Sequence, residues 1–383
     1  MKKIAISINT SWNIYNFRLG LIKALQKEGF EVYAIAPKDD YSNQLDELGV
    51  KHIDIFISNK GTNPIEDIKT IWQYYKIYKK LKPDIALHYT IKPNIYGTIG
   101  ARLAGVKVIN NISGLGTVFL NDSISSKIAR NLYKIALIFS KKVFFQNPHD
   151  RELFIKNKLV KKSKTDLVPG SGIDTRKFKP LEKENKGGKF KFLFIARLVK
   201  DKGIIEYVEA ARIIKNLKFK IENYIDIEFQ ILGAFYPGNP TAITKEQMGK
   251  WIEKGVINYL GVSDSVQDFI KKSDCVVLPS YREGLSRVLL EAASMAKPII
   301  TTDTPGCKDV VDDGINGFLC KVKDSKDLAK KMKKMLNLSK YERINMGKVG
   351  REKIINEFDE KIVIKKYLET IKLIDSRELK MQN

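Results

Sequence analysis

Short β-branched runs alternate with helical patterning along this chain, and the alternation runs twice. Candidate strands cover 3–8, 31–36, 84–87, 107–110 and 143–146, then 190–195, 227–232, 275–278 and 298–301. Helix-length segments separate most of them. Strands spaced this way pair in parallel, with each helix crossing over one face of the sheet. At 383 residues the chain is also long enough for two cores. The expected class is therefore α/β, with two Rossmann-like doubly wound parallel-sheet domains facing a cleft. Ligands are expected at the carboxyl ends of the strands. The polar stretch Leu181-Glu-Lys-Glu-Asn-Lys-Gly-Gly188 breaks the pattern and reads as a linker. The expected boundaries are a first domain over 1–180, a linker over 181–189, a second domain over 190–362, and a C-terminal helix and tail over 363–383.

Composition narrows the classes. Hydrophobic residues make up 43% of the chain, enough for packed cores. No apolar run approaches the roughly 18 residues of a spanning helix. Met1-Lys-Lys leads directly into the apolar Ile4-Ala-Ile-Ser-Ile8, so no secretory leader is expected. Three cysteines (Cys275, Cys307, Cys320) and three histidines (His52, His88, His149) are too scattered for a zinc site. The cysteine usage suggests a reducing cytoplasm and buried structural thiols. Net charge is +24, divided as +15 over 1–180 and +9 over the remainder. That excess favours anionic partners such as phosphorylated substrates, anionic lipid or nucleic acid. A lysine-rich genome gives the same balance.

Two carboxylates stand eight positions apart in Tyr281-Arg-Glu-Gly-Leu-Ser-Arg-Val-Leu-Leu-Glu291. An apolar strand and a Pro279-Ser-Tyr loop precede them, so Glu283 falls in a loop at a strand's carboxyl end. Glu291 falls two helical turns on. Such a pair also occurs by chance on surface helices. A second strand-to-helix loop, Arg197-Leu-Val-Lys-Asp-Lys-Gly203, carries two cations and a glycine turn. Arginine can fork two oxygens and lysine supplies a point charge, which suits a diphosphate. A solvated basic loop is the alternative.

Six stretches in this order resemble one known family. They are Ala196-Arg197-Leu with Lys202-Gly203, then Gly261, then Leu278-Pro-Ser-Tyr-Arg-Glu-Gly284 with Glu291, then Lys297-Pro-Ile-Ile-Thr-Thr-Asp303, then Gly306-Cys-Lys-Asp-Val-Val311, then Gly314-Ile-Asn-Gly-Phe-Leu319. Together they look like a retaining GT-B glycosyltransferase of family 4. Further stretches are similar to the subgroup that builds bacterial surface and protein-linked glycans on polyprenyl diphosphate. These are Ser11-Trp-Asn-Ile-Tyr-Asn-Phe-Arg18, Tyr89-Thr-Ile-Lys-Pro-Asn-Ile-Tyr-Gly97, Ile112-Ser-Gly-Leu-Gly116, Phe145-Gln-Asn147, Gly233-Ala with Asn239-Pro240, and Trp251-Ile.

The resemblance implies a function for each half. The second domain would bind a UDP-N-acetylhexosamine donor, N-acetylgalactosamine being the expected sugar. Arg197 and Lys202 would hold its diphosphate. Glu283 with Gly284, Leu285 and Ser286 would meet the transferred sugar, and Glu291 the ribose. Arg197, Lys202 and Glu283 are the expected catalytic residues. The first domain would take an undecaprenyl-diphosphate-linked sugar, in the service of protein N-glycosylation. Its candidate acceptor-binding residues are Tyr15, Asn16, Arg18, Lys92, Asn94, Gly114 and Gly116. Arg18 and Lys92 could hold the acceptor diphosphate, or serve as ordinary surface cations. No metal and no cofactor are expected, the UDP-sugar being a co-substrate. The chain has no Asp-x-Asp pair, which argues against the metal-dependent transferase fold. One departure is that many members carry a histidine near the position of Ser113. Here His88 lies upstream, where a packed role is expected.

Two basic amphipathic segments suggest an anionic membrane surface as a further partner. Over 123–142, Ile124, Ile128, Leu132, Ile135 and Phe139 share a helical stripe, with Lys127, Arg130 and Lys134 elsewhere. Over 65–82, Ile68, Trp72, Tyr75 and Tyr78 interleave with Lys69, Lys76, Lys79 and Lys80. Each stripe lies either on a bilayer or on the sheet. The expected location is peripheral, on the cytoplasmic face of the inner membrane. Three rival readings stay open: a capsular or lipopolysaccharide hexosyltransferase using another sugar, a GT-B UDP-sugar epimerase, and a basic nucleic-acid-binding protein. No nucleic-acid reader motif supports the last.

Overall fold

In the computed structural model, the residues described are 1–58, 63–115, 124–181, 188–217 and 226–379. The chain divides into two compact units, 1–172 with 360–383, and 173–359. The expected linker lies largely outside the described residues, at 182–187.

The first unit alternates strand and helix. It contains β1 (Lys3–Ser7), α1 (Ser11–Lys27), β2 (Glu31–Ala36), α2 (Ser42–Glu47), β3 (Lys51–Asp54), α3 (Pro64–Leu81) and β4 (Ile85–Tyr89). A π-helical turn, Pro93–Gly97, leads into α4 (Thr98–Leu103). Then come β5 (Lys107–Ile112), α5 (Ile124–Ile138), β6 (Lys142–Phe145), α6 (Pro148–Lys156) and β7 (Thr165–Leu167). Among the described residues these strands form a seven-stranded parallel sheet, ordered β3-β2-β1-β4-β5-β6-β7. Helix starts follow local chemistry. The Thr10 hydroxyl accepts from the Asn13 N–H at 3.1 Å, and Asn63 caps α3 with Pro64 in its first turn.

The second unit holds β8 (Lys189–Ile195), α7 (Ile204–Leu217), β9 (Asp226–Leu232), α8 (Lys245–Glu253), β10 (Asn258–Tyr259) and α9 (Val266–Lys272). It continues through β11 (Cys275–Leu278), α10 (Arg287–Ser294), β12 (Ile299–Thr302), β13 (Gly317–Cys320), α11 (Ser325–Asn337) and α12 (Lys340–Glu357). Its described strands form a six-stranded parallel sheet, ordered β10-β9-β8-β11-β12-β13. Phe192, Phe194, Phe229 and Tyr207 fill its core. All three cysteines are buried free thiols.

The last helix, α13 (Glu360–Leu379), returns to the first unit. Val363, Tyr367 and Ile371 recur every four residues and enter the core formed by β1, β4 and α1. The C-terminal helix expected from 363 begins at Glu360 and packs as a layer of the first unit.

Each sheet reverses its strand order once, between β1 and β4 in the first unit and between β8 and β11 in the second. Doubly wound sheets bind ligands outside the carboxyl ends of strands at that reversal. The loops after β4, β8 and β11 carry Lys92, Arg197 with Lys202, and Glu283.

Candidate active site

In the second unit, Arg197 follows β8 directly and its guanidinium lies 5.0 Å from the centre of the Tyr236 ring. Three residues later a single 3₁₀ turn, Lys200–Lys202, begins, and it ends at Gly203 with φ +76°. A Cβ on Gly203 would lie 2.0 Å from the Pro279 carbonyl oxygen. Only glycine lets this turn press against the loop that follows β11. Backbone bonds complete the contact: the Tyr281 N–H donates to the Asp201 carbonyl at 2.9 Å.

That close approach brings Lys202 to Glu283. The ammonium lies 2.5 Å from a carboxylate oxygen, with both side chains largely withdrawn from solvent. The loop is latched on its other side by residues 305–309. The Glu283 N–H donates to the Pro305 carbonyl at 3.2 Å and the Ser286 N–H to the Gly306 carbonyl at 3.0 Å. The Asp309 carboxylate accepts from the Gly306 N–H at 2.7 Å. Gly306 has φ +78°, and a Cβ there would come within 2.4 Å of the Glu283 carbonyl oxygen. Tyr281 donates its hydroxyl to a Glu206 carboxylate oxygen at 2.8 Å, a bond with no sequence signal.

Glu291 sits in the second turn of α10, four residues after Arg287, whose Nε donates to it at 3.0 Å. Burial pushes the Glu291 carboxyl above its ordinary range, and Arg287 opposes that push. Gly284, Leu285 and Ser286 lead into α10, whose ladder begins with Leu290 N–H bonded to the Ser286 carbonyl. A helix start aimed at this loop favours an anionic or hydroxylated ligand. The structure thus brings Lys202 and Glu283 together with loop 283–286, sets Arg197 on Tyr236, and gives Glu291 a separate partner.

In the first unit, Arg18 is only 7% exposed. Its guanidinium stacks 4.1 Å from the Tyr89 ring centre, at the end of β4. One terminal nitrogen donates to the Phe17 carbonyl at 3.1 Å, while Nε has no hydrogen-bond partner. Tyr15 packs against Tyr41 with ring centres 5.3 Å apart, and Asn16 donates to the Trp12 carbonyl. Gly114 has φ +141°, while Gly116 lies outside the described residues.

Two acceptor candidates have internal partners. Lys92 donates to Asp67 at 2.9 Å, and Asp67 also accepts from the Tyr96 hydroxyl at 2.7 Å. Lys92 is therefore a partnered cation, as Lys202 is in the second unit. Asn94 is fully buried, donates to the Asn111 carbonyl and accepts from Asn110. His88 is buried too, with Tyr78 Oη 2.7 Å from Nε2 and Thr98 Oγ1 3.1 Å from Nδ1. Burial lowers its pKa to about 3, so it is a neutral, packed imidazole.

The sequence and the described fold match known proteins. The model of "Glycosyl transferases group 1" matches residues 175–353, and that of "Glycosyl transferase 4-like" matches residues 3–147. The chain belongs to the family 4 glycosyltransferases of the GT-B fold. It is 29% identical over 372 residues to N,N′-diacetylbacillosaminyl-diphospho-undecaprenol α-1,3-N-acetylgalactosaminyltransferase of Campylobacter jejuni, covering 93% of this chain and 94% of that one. It is 30% identical over 316 residues to UDP-Gal:α-D-GlcNAc-diphosphoundecaprenol α-1,3-galactosyltransferase of Escherichia coli, covering 77% and 76%. Among solved structures, Anabaena HepE in complex with UDP and glucose superposes with a TM-score of 0.78 at 16% identity, over 97% of this chain and all of that one.

Proposed function

We propose that this glycosyltransferase moves N-acetylgalactosamine, or another N-acetylhexosamine, from a UDP-sugar to a hydroxyl of a polyprenyl-diphosphate-linked sugar. The anomeric configuration is retained, and the product serves protein N-glycosylation. The observation that carries the donor half is the Lys202–Glu283 contact at the strand-order reversal, with Arg197 on the adjoining loop. The acceptor half draws on the two relatives, whose names both specify diphospho-undecaprenol sugars.

The main catalytic effect is electrostatic. When the bond between the anomeric carbon and the β-phosphate oxygen breaks, negative charge grows on that oxygen. Arg197 and Lys202 stabilise it without a metal or cofactor. Glu283 holds Lys202 in place and accepts from the sugar's hydroxyls, so it orients the ring and does not attack it. The acceptor oxygen bonds to the same face, and its proton passes to the departing phosphate. Gly284, Leu285 and Ser286 border the sugar, and Glu291 receives the ribose hydroxyls. In the first unit, Arg18, Tyr15, Asn16 and Gly114 are the acceptor side, with Lys92 and Asn94 supporting its walls.

The E. coli galactosyltransferase, with a capsular polysaccharide biosynthesis glycosyltransferase of Staphylococcus aureus, favours a second reading, transfer of a hexose in surface-polysaccharide assembly. A donor panel separates the two. The enzyme is incubated with each UDP-hexose and UDP-N-acetylhexosamine, together with undecaprenyl-diphosphate-linked N,N′-diacetylbacillosamine. Mass spectrometry then reads the product. A disaccharide from an N-acetylhexosamine donor is expected. Product from hexose donors alone would move the assignment to the second reading.

The proposed location is peripheral, on the anionic cytoplasmic face of the inner membrane. Among the described residues, no helix is long and apolar enough to cross a membrane.

A further inference from the structure

The outer side of the first unit's helical layer carries apolar residues that a layer over a sheet ordinarily lacks. Ala86 pairs with Val108 and Asn110 with Val143, so these residues share one face of the sheet. Tyr74 and Tyr78 of α3 and Ala101 of α4 pack on that face. Farther along, Tyr133, Ala136 and Leu137 of α5 pack with Val143 and Phe145. The inner side of all three helices is thereby accounted for.

The stripe expected on α5 is divided. Leu132 packs against the inner cluster, whereas Ile128, Ile135 (50% exposed) and Phe139 are exposed, and Ile138 (62%), outside the expected stripe, is exposed with them. Ser126, Ala129 and Ala136 are buried, as are Tyr133 and Leu137. On α3 the same split occurs. Tyr78 is buried, whereas Ile65, Ile68 (67%) and Trp72 (53%) are exposed. Leu103 of α4 is exposed between them.

Cations frame this apolar surface. Lys76 lies 5.7 Å from the Trp72 ring centre, and Trp72 stacks on Tyr75 at 5.0 Å. The Arg102 guanidinium lies 5.6 Å from the Phe139 ring centre. Lys127 and Lys134 are exposed on α5, and Lys69, Lys79 and Lys80 on α3. Neither α4 nor α5 contains an aspartate or glutamate.

We propose that the outer side of α3, α4 and α5 is the surface by which this protein docks on an anionic lipid bilayer, with α5 lying in the interface. Ile135, Ile138, Phe139 and Trp72 enter the headgroup boundary, and the lysines contact lipid phosphates. This rests on the reading of a lipid-linked acceptor, for which docking would keep the first unit beside its substrate. A protein partner or second copy covering the same apolar area would need acidic residues opposite these lysines. The acid-free α4 and α5 fit a uniformly anionic surface instead.

Vesicle co-sedimentation tests this with phosphatidylcholine alone and with phosphatidylglycerol added. The full chain is expected to bind the anionic vesicles and to be released by salt. Ile135→Asp with Ile138→Asp, and separately Lys127→Glu with Lys134→Glu, are each expected to lower the bound fraction at least about tenfold. Circular dichroism should show both variants folded, because all four side chains are exposed. Should the isoleucine pair unfold, the lysine pair decides alone. Unchanged vesicle binding in the folded variants would overturn the proposal. So would a dimer that the same substitutions dissociate. The vesicles contain no acceptor, so docking is read apart from transfer. A variant that loses vesicle binding yet glycosylates a detergent-solubilised acceptor supports docking and leaves the reaction standing.

Discussion

The Lys202 ammonium contacts the Glu283 carboxylate at 2.5 Å, across 81 positions of sequence. Both side chains are partly buried, so the pair is shielded from the solvent that weakens surface ion pairs. The contact ties a cation suited to a diphosphate to a carboxylate suited to a sugar.

Removing either partner should damage turnover more than folding. Lys202→Ala is expected to lower kcat by about 10²–10³-fold, the scale for losing one charge-stabilising donor. Glu283→Gln should lower kcat as well, and the double variant should lose less than the product of the single losses. Steady-state assays of the three variants check this.

Gly306 tests the latch on the Glu283 loop. Its φ of +78° and the 2.4 Å approach of a Cβ to the Glu283 carbonyl leave no room for a side chain. Gly306→Ala should cost at least about 1–2 kcal/mol, the penalty of the left-handed conformation for an L-residue. It should also displace Glu283 and lower kcat. Urea unfolding and a turnover assay measure the two effects.

Tyr281→Phe removes only the hydroxyl bonded to Glu206. Loop 281–283 would lose that anchor, so kcat should fall while UDP affinity holds. Glu206→Gln, which can still accept the bond, should restore most of the rate relative to Glu206→Ala. Calorimetric titration with UDP, beside initial rates, separates the two parameters.

His88 gives a pH dependence. Burial lowers its pKa from 6.5 to about 3, so the native state binds fewer protons than the unfolded chain between those values. Its contribution to stability is complete above about pH 6.5 and is lost as pH falls toward 3. The full loss is on the order of 5 kcal/mol. Chemical unfolding from pH 7 to pH 4 should show the decline, and His88→Gln should flatten it.

Strands of four to seven buried β-branched or aromatic residues were legible in the sequence: 31–36 and 275–278 match β2 and β11 end to end. The sheet-edge strands β3, β7 and β10 were not, being two to four residues long with charged or polar positions. Their pairing comes from the neighbouring strand, which no local pattern encodes. The spacing of Val363, Tyr367 and Ile371 showed a helix but not which sheet it covers. On α5 the apolar periodicity was legible, but not that Tyr133, Ala136 and Leu137 would be the side packed inward. The motif residues of the second unit were all visible. Their partners (Tyr236 under Arg197, Glu206 on Tyr281) were not, nor was Asp67 on Lys92 in the first unit, because such contacts follow from tertiary approach.

The most direct test is the stereochemistry of one turnover. UDP-N-acetylgalactosamine and undecaprenyl-diphosphate-linked N,N′-diacetylbacillosamine are supplied, and the new linkage is read by NMR beside UDP release. One added N-acetylgalactosamine in the α configuration, with stoichiometric UDP, is expected, and Arg197→Ala should abolish it. A β-linked product, or UDP released with no sugar transferred from any UDP-N-acetylhexosamine, would contradict the assignment.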